Sequence, residues 1–322
     1  MSEHSSTTGF PTDPGFQRRK VRLIVNPAAS KVNTRTRQAV TDALSVHDLS
    51  VVETTERDHA TSLAREAADE GVDGVAVLGG DGTVNEAANG LIEAGTEVPL
   101  APLPGGSTNV FTRTLGLPRK PGPAAAAAAD ALGRGSVRRL PVGLANGRTF
   151  LFHVGIGYDA AVVAQVERRA KLKRSIGQAI FVYAAFDTWF RHYDRSQPRF
   201  RVEDSDGDEV DGYFTICLNT NPYTYLGVRP FNVAPGATGE RGLTAVTLRR
   251  FTVRALLGVT AKALGKGDAV EHHSAVHMRR DQPRVVVRGY GPFPWQADGD
   301  YLGETEELVL TQGPDRLIVI DP

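Results

Sequence analysis

An apolar strand that runs into a glycine-rich turn and directly on into a helix constrains this chain more than any other feature. Residues 75–78 (VAVL) are apolar, residues 79–83 read GGDGT, and helical spacing follows from about Asn85 to Ala94. The turn therefore lies at a strand's carboxyl end and a helix's amino end, where open α/β sheets bind ligands. Gly79, Gly80 and Gly82 let a backbone approach polyphosphate closely, and unpaired amides at a helix start favour negative charge. The pattern has neither the Lys-Ser/Thr of a Walker loop nor the spacing of the dinucleotide fingerprint. Asp81 would repel phosphate unless a divalent cation lay between them, so bound Mg²⁺ belongs to the expectation. The plainer alternative is a strand-to-helix turn with a capping Asp.

Around this turn the first half alternates strands and helices. Residues 21–25 (VRLIV) and 49–54 (LSVVET) read as strands, and 35–46 as an amphipathic helix. Residues 58–70 form a further helix, with Asp58 suited to its N-cap and Gly71 beyond its end. Such alternation implies a parallel sheet covered on both faces. After an Ala-rich helix near 123–132 the rhythm changes to short strands with turns between them, at 150–154, 199–203, 212–218, 243–248, 283–289 and 307–311. A helical stretch at about 160–190 interrupts them. The expected architecture is an α/β nucleotide-binding domain at 20–140 and an antiparallel, β-sandwich-like domain at 141–312. Residues 1–19 form a disordered tail, and the apolar strand 317–320, within 313–322, returns to the first sheet.

Two more polar turns follow strands. Residues 104–109 (PGGSTN) bring Gly106, Ser107 and an amide, and residues 26–30 (NPAAS) bring Asn26 and Ser30. Three such turns at successive strand ends make a phosphate cradle, and Thr54 and Thr55 end another strand facing the same crevice.

These blocks carry a family resemblance. GGDGTVNEAANGL at 79–91 and PLPGGSTNVFTRTLGLP at 102–118 together resemble the catalytic domain of diacylglycerol kinases, shared with sphingosine and ceramide kinases and bacterial lipid kinases. The likeness continues through NPAAS, TTERDHATSLA, FHVGIGYDAAV at 152–162 and QADGDYLGE at 296–304, from residue 20 to the end. It implies ATP as donor, Mg²⁺ as cofactor and a lipid hydroxyl as acceptor, with diacylglycerol giving phosphatidic acid. By that likeness Asn26, Ser30 and Thr55 contact nucleotide, and Gly79, Gly80, Asp81, Gly82 and Thr83 hold phosphates. Gly106 and Ser107 serve the second loop, Asp81 organises the metal, and the catalytic pair is Asp81 and Asp300.

The acceptor hydroxyl must lose a proton as the phosphoryl group arrives, and a carboxylate in reach serves as base. The resemblance takes that base from an Asp-Gly-Glu motif, matched here by Asp298, Gly299 and Asp300, with Asp298 as substitute. Val110 stands where many bacterial members carry Asp. Arg241, in APGATGERGLTAVTL at 234–248, stands where an acidic residue is common, so no second metal is expected.

Equal numbers of basic and acidic residues, 37 each, give no global field toward nucleic acid. The lone Cys217, in an apolar run, reads as core. His272, His273 and His277 lack a companion carboxylate or cysteine at ligand spacing beyond Glu271, and read as solvated. The N-terminal stretch lacks a secretory signal pattern and no 18 apolar residues run together, so the expected location is cytoplasmic. Residues 171–195 join basic ends to an apolar middle, either a helix packed on the second domain or a membrane-facing element. The function expected is lipid phosphorylation. An NAD-kinase-like soluble phosphotransferase, or a nucleotide-binding protein without catalysis, is the alternative.

Overall fold

The computed structural model describes residues 15–168, 196–265 and 269–322. In the first lobe β1 (Lys20–Val25), β2 (Asp48–Glu53), β3 (Gly74–Gly79) and β4 (Leu100–Pro104) form a parallel sheet in the order β2-β1-β3-β4. Helices α1 (Thr34–Leu44), α2 (His59–Asp69), α3 (Asp81–Glu93), α4 (Val110–Thr114) and α5 (Pro121–Arg134) connect and cover it. Local chemistry explains their ends. Asn33 and Thr36 exchange side-chain and backbone bonds in a capping box on α1, while Pro121 opens α5 and left-handed Gly135 closes it. The α5 alanines at 124, 125, 128, 129 and 131 are buried in the core of this lobe.

Asp58 occupies the N-cap position of α2, but in a left-handed conformation and without a side-chain cap bond. The Glu86 carboxylate of α3 accepts the Ala60 N–H at 3.2 Å instead. The Gly-rich turn is also shorter than expected. Only Gly80 separates β3 from α3, and Asp81, Gly82 and Thr83 form the first helical turn. A helix needs no internal partner for its first amides, so glycines are tolerated there.

The second lobe contains β5 (Val137–Ala145), β6 (Arg148–Phe150), β7 (His153–Gly157), α6 (Tyr158–Arg168), β8 (Phe200–Glu203), β9 (Glu209–Gly212) and β10 (Phe214–Leu218). It continues with the hairpin β11 (Thr224–Leu226) and β12 (Arg229–Phe231), then β13 (Leu243–Leu248), α7 (Val253–Leu264), β14 (Val276–Gln282), β15 (Arg284–Ala297) and β16 (Asp300–Ile320). Its antiparallel order is β14-β13-β10-β7-β15-β16, and Cys217 is buried in its core. The 21-residue β16 joins the lobes: it pairs with β15 at its start and with β4 near its end, Val319 beside Leu100 in parallel. β5 runs antiparallel along it.

Part of the expected tail is docked: the Gln17 N–H donates to the Gly133 carbonyl at 2.9 Å, and the Phe16 ring stacks on His47 at 5.4 Å. Residues 1–14 lie outside the described residues. So does the expected membrane-facing segment at 171–195, together with most of the helical stretch expected at 160–190.

Candidate active site

The three polar turns meet at the carboxyl ends of β1, β3 and β4. The Asn26 amide donates to the Thr83 hydroxyl at 2.8 Å, and its carbonyl oxygen accepts the Ala28 N–H at 2.9 Å. The Lys31 N–H donates to the Gly105 carbonyl at 2.9 Å, and the Gly105 N–H to the Gly79 carbonyl at 2.8 Å. A methyl group on Gly106 would lie 2.7 Å from the Gly80 Cα, so the two backbones pass where Gly106 has no room for a side chain. Asn109, left-handed at φ 50°, closes the second loop: its carbonyl oxygen accepts the Gly106 N–H and its amide donates to the Gly106 carbonyl, both at 2.8 Å.

Asp81 does not stand free in this cradle. Its carboxylate accepts the Thr108 hydroxyl and the Phe111 N–H, each at 3.1 Å, which fastens α3 to the second loop and the start of α4. Burial pushes the carboxyl up, and the amides of Val110, Phe111 and Asn109 with the Thr108 hydroxyl pull it back. Asp300, the first residue of β16, approaches from the other lobe: a methyl on Gly82 would lie 3.1 and 3.3 Å from its two carboxylate oxygens. Asp81 and Asp300 thus flank one glycine.

Asp298 is held differently. It is 4% exposed and left-handed at φ 50°. One oxygen accepts the Leu151 N–H at 2.6 Å and the Asn85 amide at 2.8 Å; the other accepts the N–H groups of Phe152 and His153 at 3.0 Å. Burial pushes this carboxyl up to about 7 against those four donors. With both oxygens engaged by donors it is a bolt between α3, the β6–β7 connection and the β15–β16 turn.

Of the other expected residues, Thr83 is buried while Ser30 and Ser107 are exposed beside the cradle. Thr55 bonds within its own turn: its backbone N–H donates to His59 Nδ1 at 3.1 Å and its hydroxyl lies 3.0 Å from the same atom. Sequence reasoning missed Asn85, Thr108 and Lys31. Burial, Arg119 and Arg113 lower the Lys31 ammonium and Asp81 raises it, which groups three cations with one carboxylate at the cradle. The signal for Lys31 was its place directly after NPAAS; Asn85 lies four residues past Asp81, one turn along α3.

From Asp81, Thr108, Val110 and Gly299 a cavity of about 280 Å³ runs into the second lobe between Phe152, Ile216, Phe231, Val246, Leu248 and Val259. Its walls are mostly apolar and include one buried group of polar side chains. Asp159 accepts the Tyr223 hydroxyl and the Gln296 amide, the latter at 2.6 Å. Burial raises the Asp159 carboxyl, and those two bonds lower it. His153 lies with its ring 4.4 Å from that of Tyr223; burial pushes it down to about 3, and its Nδ1 is without a hydrogen-bond partner. No local pattern marked Asp159 and Gln296, although both fall inside the blocks that carried the resemblance. Among the described residues no group of three or more His, Cys, Asp or Glu could hold a metal ion.

A glycine cradle, a carboxylate over it and an apolar cavity opening beside both define an enzyme of the lipid-kinase class. Residues 20–145 match the family model of the diacylglycerol kinase catalytic domain. A diacylglycerol kinase of Bacillus subtilis (strain 168) is 32% identical over 245 residues, 76% of each chain. A "probable lipid kinase YegS-like" protein of Chromohalobacter salexigens is 34% identical over 262 residues, 79% of this chain and 78% of that one. Among solved structures, a diacylglycerol kinase from Bacillus anthracis str. Sterne shares the fold at TM-score 0.66 and 24% identity, over 94% of this chain and 96% of that one. The chain belongs to the diacylglycerol kinase catalytic domain family and is a lipid kinase, which displaces the NAD-kinase-like alternative. No helix among the described residues is long and apolar enough to cross a membrane.

Proposed function

We propose that the chain transfers the γ-phosphoryl group of ATP, with Mg²⁺, to the free hydroxyl of diacylglycerol, giving phosphatidic acid. The observation that carries this reading is the meeting of the glycine cradle, Asp300 and the mouth of the apolar cavity at the first turn of α3. The β- and γ-phosphates lie against the turn formed by Gly79, Gly80, Gly82 and Thr83, with Gly106 and Ser107 of the second loop opposite, where helix-start amides favour anions. Asn26, Ser30 and Thr55 border the nucleotide, and Lys31, Arg113 and Arg119 offset phosphate charge. Acyl chains fill the cavity, with Asp159, Tyr223 and Gln296 as polar contacts near the glycerol end. Asp300 takes the hydroxyl proton as the phosphoryl group arrives.

The donor set suits Mg²⁺, which takes one or two carboxylates plus phosphate oxygens and waters rather than an all-protein cage. Asp81 and Asp300 flank Gly82, and Asp81 also lines the mouth of the cavity. Bound there, the ion would offset charge on the phosphate oxygens.

The test supplies labelled ATP and Mg²⁺ with diacylglycerol in mixed micelles. Asp300→Ala is expected to lower kcat by about 10²–10⁴-fold with little change in nucleotide KM. Undiminished turnover in Asp300→Ala, or in Asp81→Asn, removes the catalytic assignment. ATP binding without labelling of any lipid in a whole extract would overturn the proposed transfer.

A further inference from the structure

Helix α7 carries large apolar residues on its outer face as well as its inner one. Ala255, Val259 and Ala263 face the core at steps of four, whereas Val253, Leu257 and Leu264 are exposed on the other side, Leu257 at 62%. A surface helix ordinarily shows solvent a polar face. The β11–β12 hairpin repeats the anomaly at its turn, a place usually held by Gly, Asn, Asp or Ser. Val228 is 67% exposed at the tip and Leu226 is 42% exposed beside it. Of the eight large apolar side chains exposed among the described residues, five lie on these two elements.

Both elements wall the apolar cavity, through Leu226 and Phe231 from the hairpin and Leu256, Val259 and Thr260 from α7. The Asn232 N–H, just past the hairpin, donates to the Ala263 carbonyl at 2.8 Å and ties them together. The hairpin is braced from the first lobe as well: the Arg113 guanidinium lies 3.2 Å from the Tyr225 ring centre and donates to the carbonyls of Gly227 and Val228. Neither element contains an acidic residue, and together they carry Arg229, Arg254 and Lys262. An apolar surface that is continuous with a cavity for acyl chains, and whose own charged residues are cations, matches an anionic lipid surface.

We propose that α7 and the β11–β12 hairpin form the surface by which the protein docks on an anionic phospholipid bilayer, so that the acceptor passes from the leaflet into the cavity without crossing water. This rests on the reading of the cavity as an acyl-chain site. The residues involved are distinct from those at 171–195.

The test uses the full chain and vesicles of equal parts phosphatidylcholine and phosphatidylglycerol, measured by co-sedimentation. Each apolar side chain moved from water into lipid contributes about ten-fold or more to partitioning. Val228→Asp with Leu257→Asp is therefore expected to lower binding by about a hundred-fold or more. Turnover of a short-chain diacylglycerol dispersed below its micelle concentration stays unchanged, since neither residue lines the cavity. Because two aspartates could disturb folding, Arg254→Glu with Lys262→Glu is measured alongside. That pair weakens binding to the anionic vesicles and leaves binding to pure phosphatidylcholine unaltered. Vesicle binding that is absent in the unsubstituted protein, or unchanged in both variants, overturns the proposal. So does a dimer that the aspartates split while vesicle binding persists. Loss of the docking result with short-chain turnover intact refutes the surface alone. Absence of short-chain turnover in the unsubstituted protein refutes the functional reading beneath it.

Discussion

Asp298→Asn is a change of almost no volume whose cost follows from the bonds around the side chain. The carboxylate meets four donors, two on each oxygen, and has no acceptor beside it. An asparagine supplies one carbonyl oxygen for two of them and turns an NH₂ group toward the other two. Whichever way the amide is flipped, two buried donors lose their acceptor. A buried donor left unsatisfied costs about 1–3 kcal/mol, so the variant loses about 2–6 kcal/mol. That is a large share of the roughly 5–15 kcal/mol that holds a folded protein together. Because Asn85 reaches Asp298 across the lobes, the loss also loosens the turn that presents Asp300 to Gly82. Thermal or urea unfolding at about pH 9, where the carboxyl is ionised, monitored by circular dichroism, measures the first effect, and kcat at saturating ATP, below the unfolding range, measures the second. A variant that unfolds within about 1 kcal/mol of the parent, smaller than one unmet buried donor, would show that the carboxylate does not satisfy these amides.

Asn85→Ala removes one of the four donors while leaving the charge in place; kcat is expected to fall more than nucleotide KM rises, and equal changes in both would count against a positioning role. Gly106→Ala places a methyl 2.7 Å from the Gly80 Cα, where only backbone could yield. It is expected to cost about 1–3 kcal/mol and to weaken ATP binding, as read by calorimetry; unaltered ATP affinity would argue against a cradle made of both loops. His153 is held down to about 3 by burial. The unfolded chain therefore takes up a proton between about pH 6.5 and 3 that the native one refuses, and stability drops as pH falls through that window. The slope reaches about 1.4 kcal/mol per pH unit, and His153→Phe should flatten it; an unchanged slope would place the titration elsewhere.

The first lobe was legible because its signals are local. The strands at 21–25, 49–54 and 75–78 match β1, β2 and β3 to within a residue or so, since apolar runs stop at turn residues close by. The glycines at 79–83 misled only about where α3 begins. The second lobe was harder. Helix α7 escaped notice because Val253, Leu257 and Leu264 place apolar residues outside as well as inside, which erases the amphipathic rhythm. Residues 307–311 and 317–320 were legible as two strands; β16 runs through both, with register shifts absorbing the break between Gln312 and Leu317. At the site, Asp300 and the glycine loops were readable as motifs. The role of Asp298 was not, because three of its partners are backbone amides nearly 150 residues away.

The long strand β16 has a consequence for how the chain is made. Its far end supplies the partner of Leu100, so the parallel sheet of the first lobe lacks one of its strands until residues 317–320 have been synthesised. The glycine loops, β1 and β3 emerge far earlier, with the edge of β4 unpaired. During synthesis that edge is a template for other extended segments, and a sheet closed by so distant a contact forms slowly. Completion of the first lobe and delivery of Asp300 to Gly82 are then one late event, since the same strand does both. A nascent chain halted before β16 would carry the cradle without its carboxylate from the second lobe.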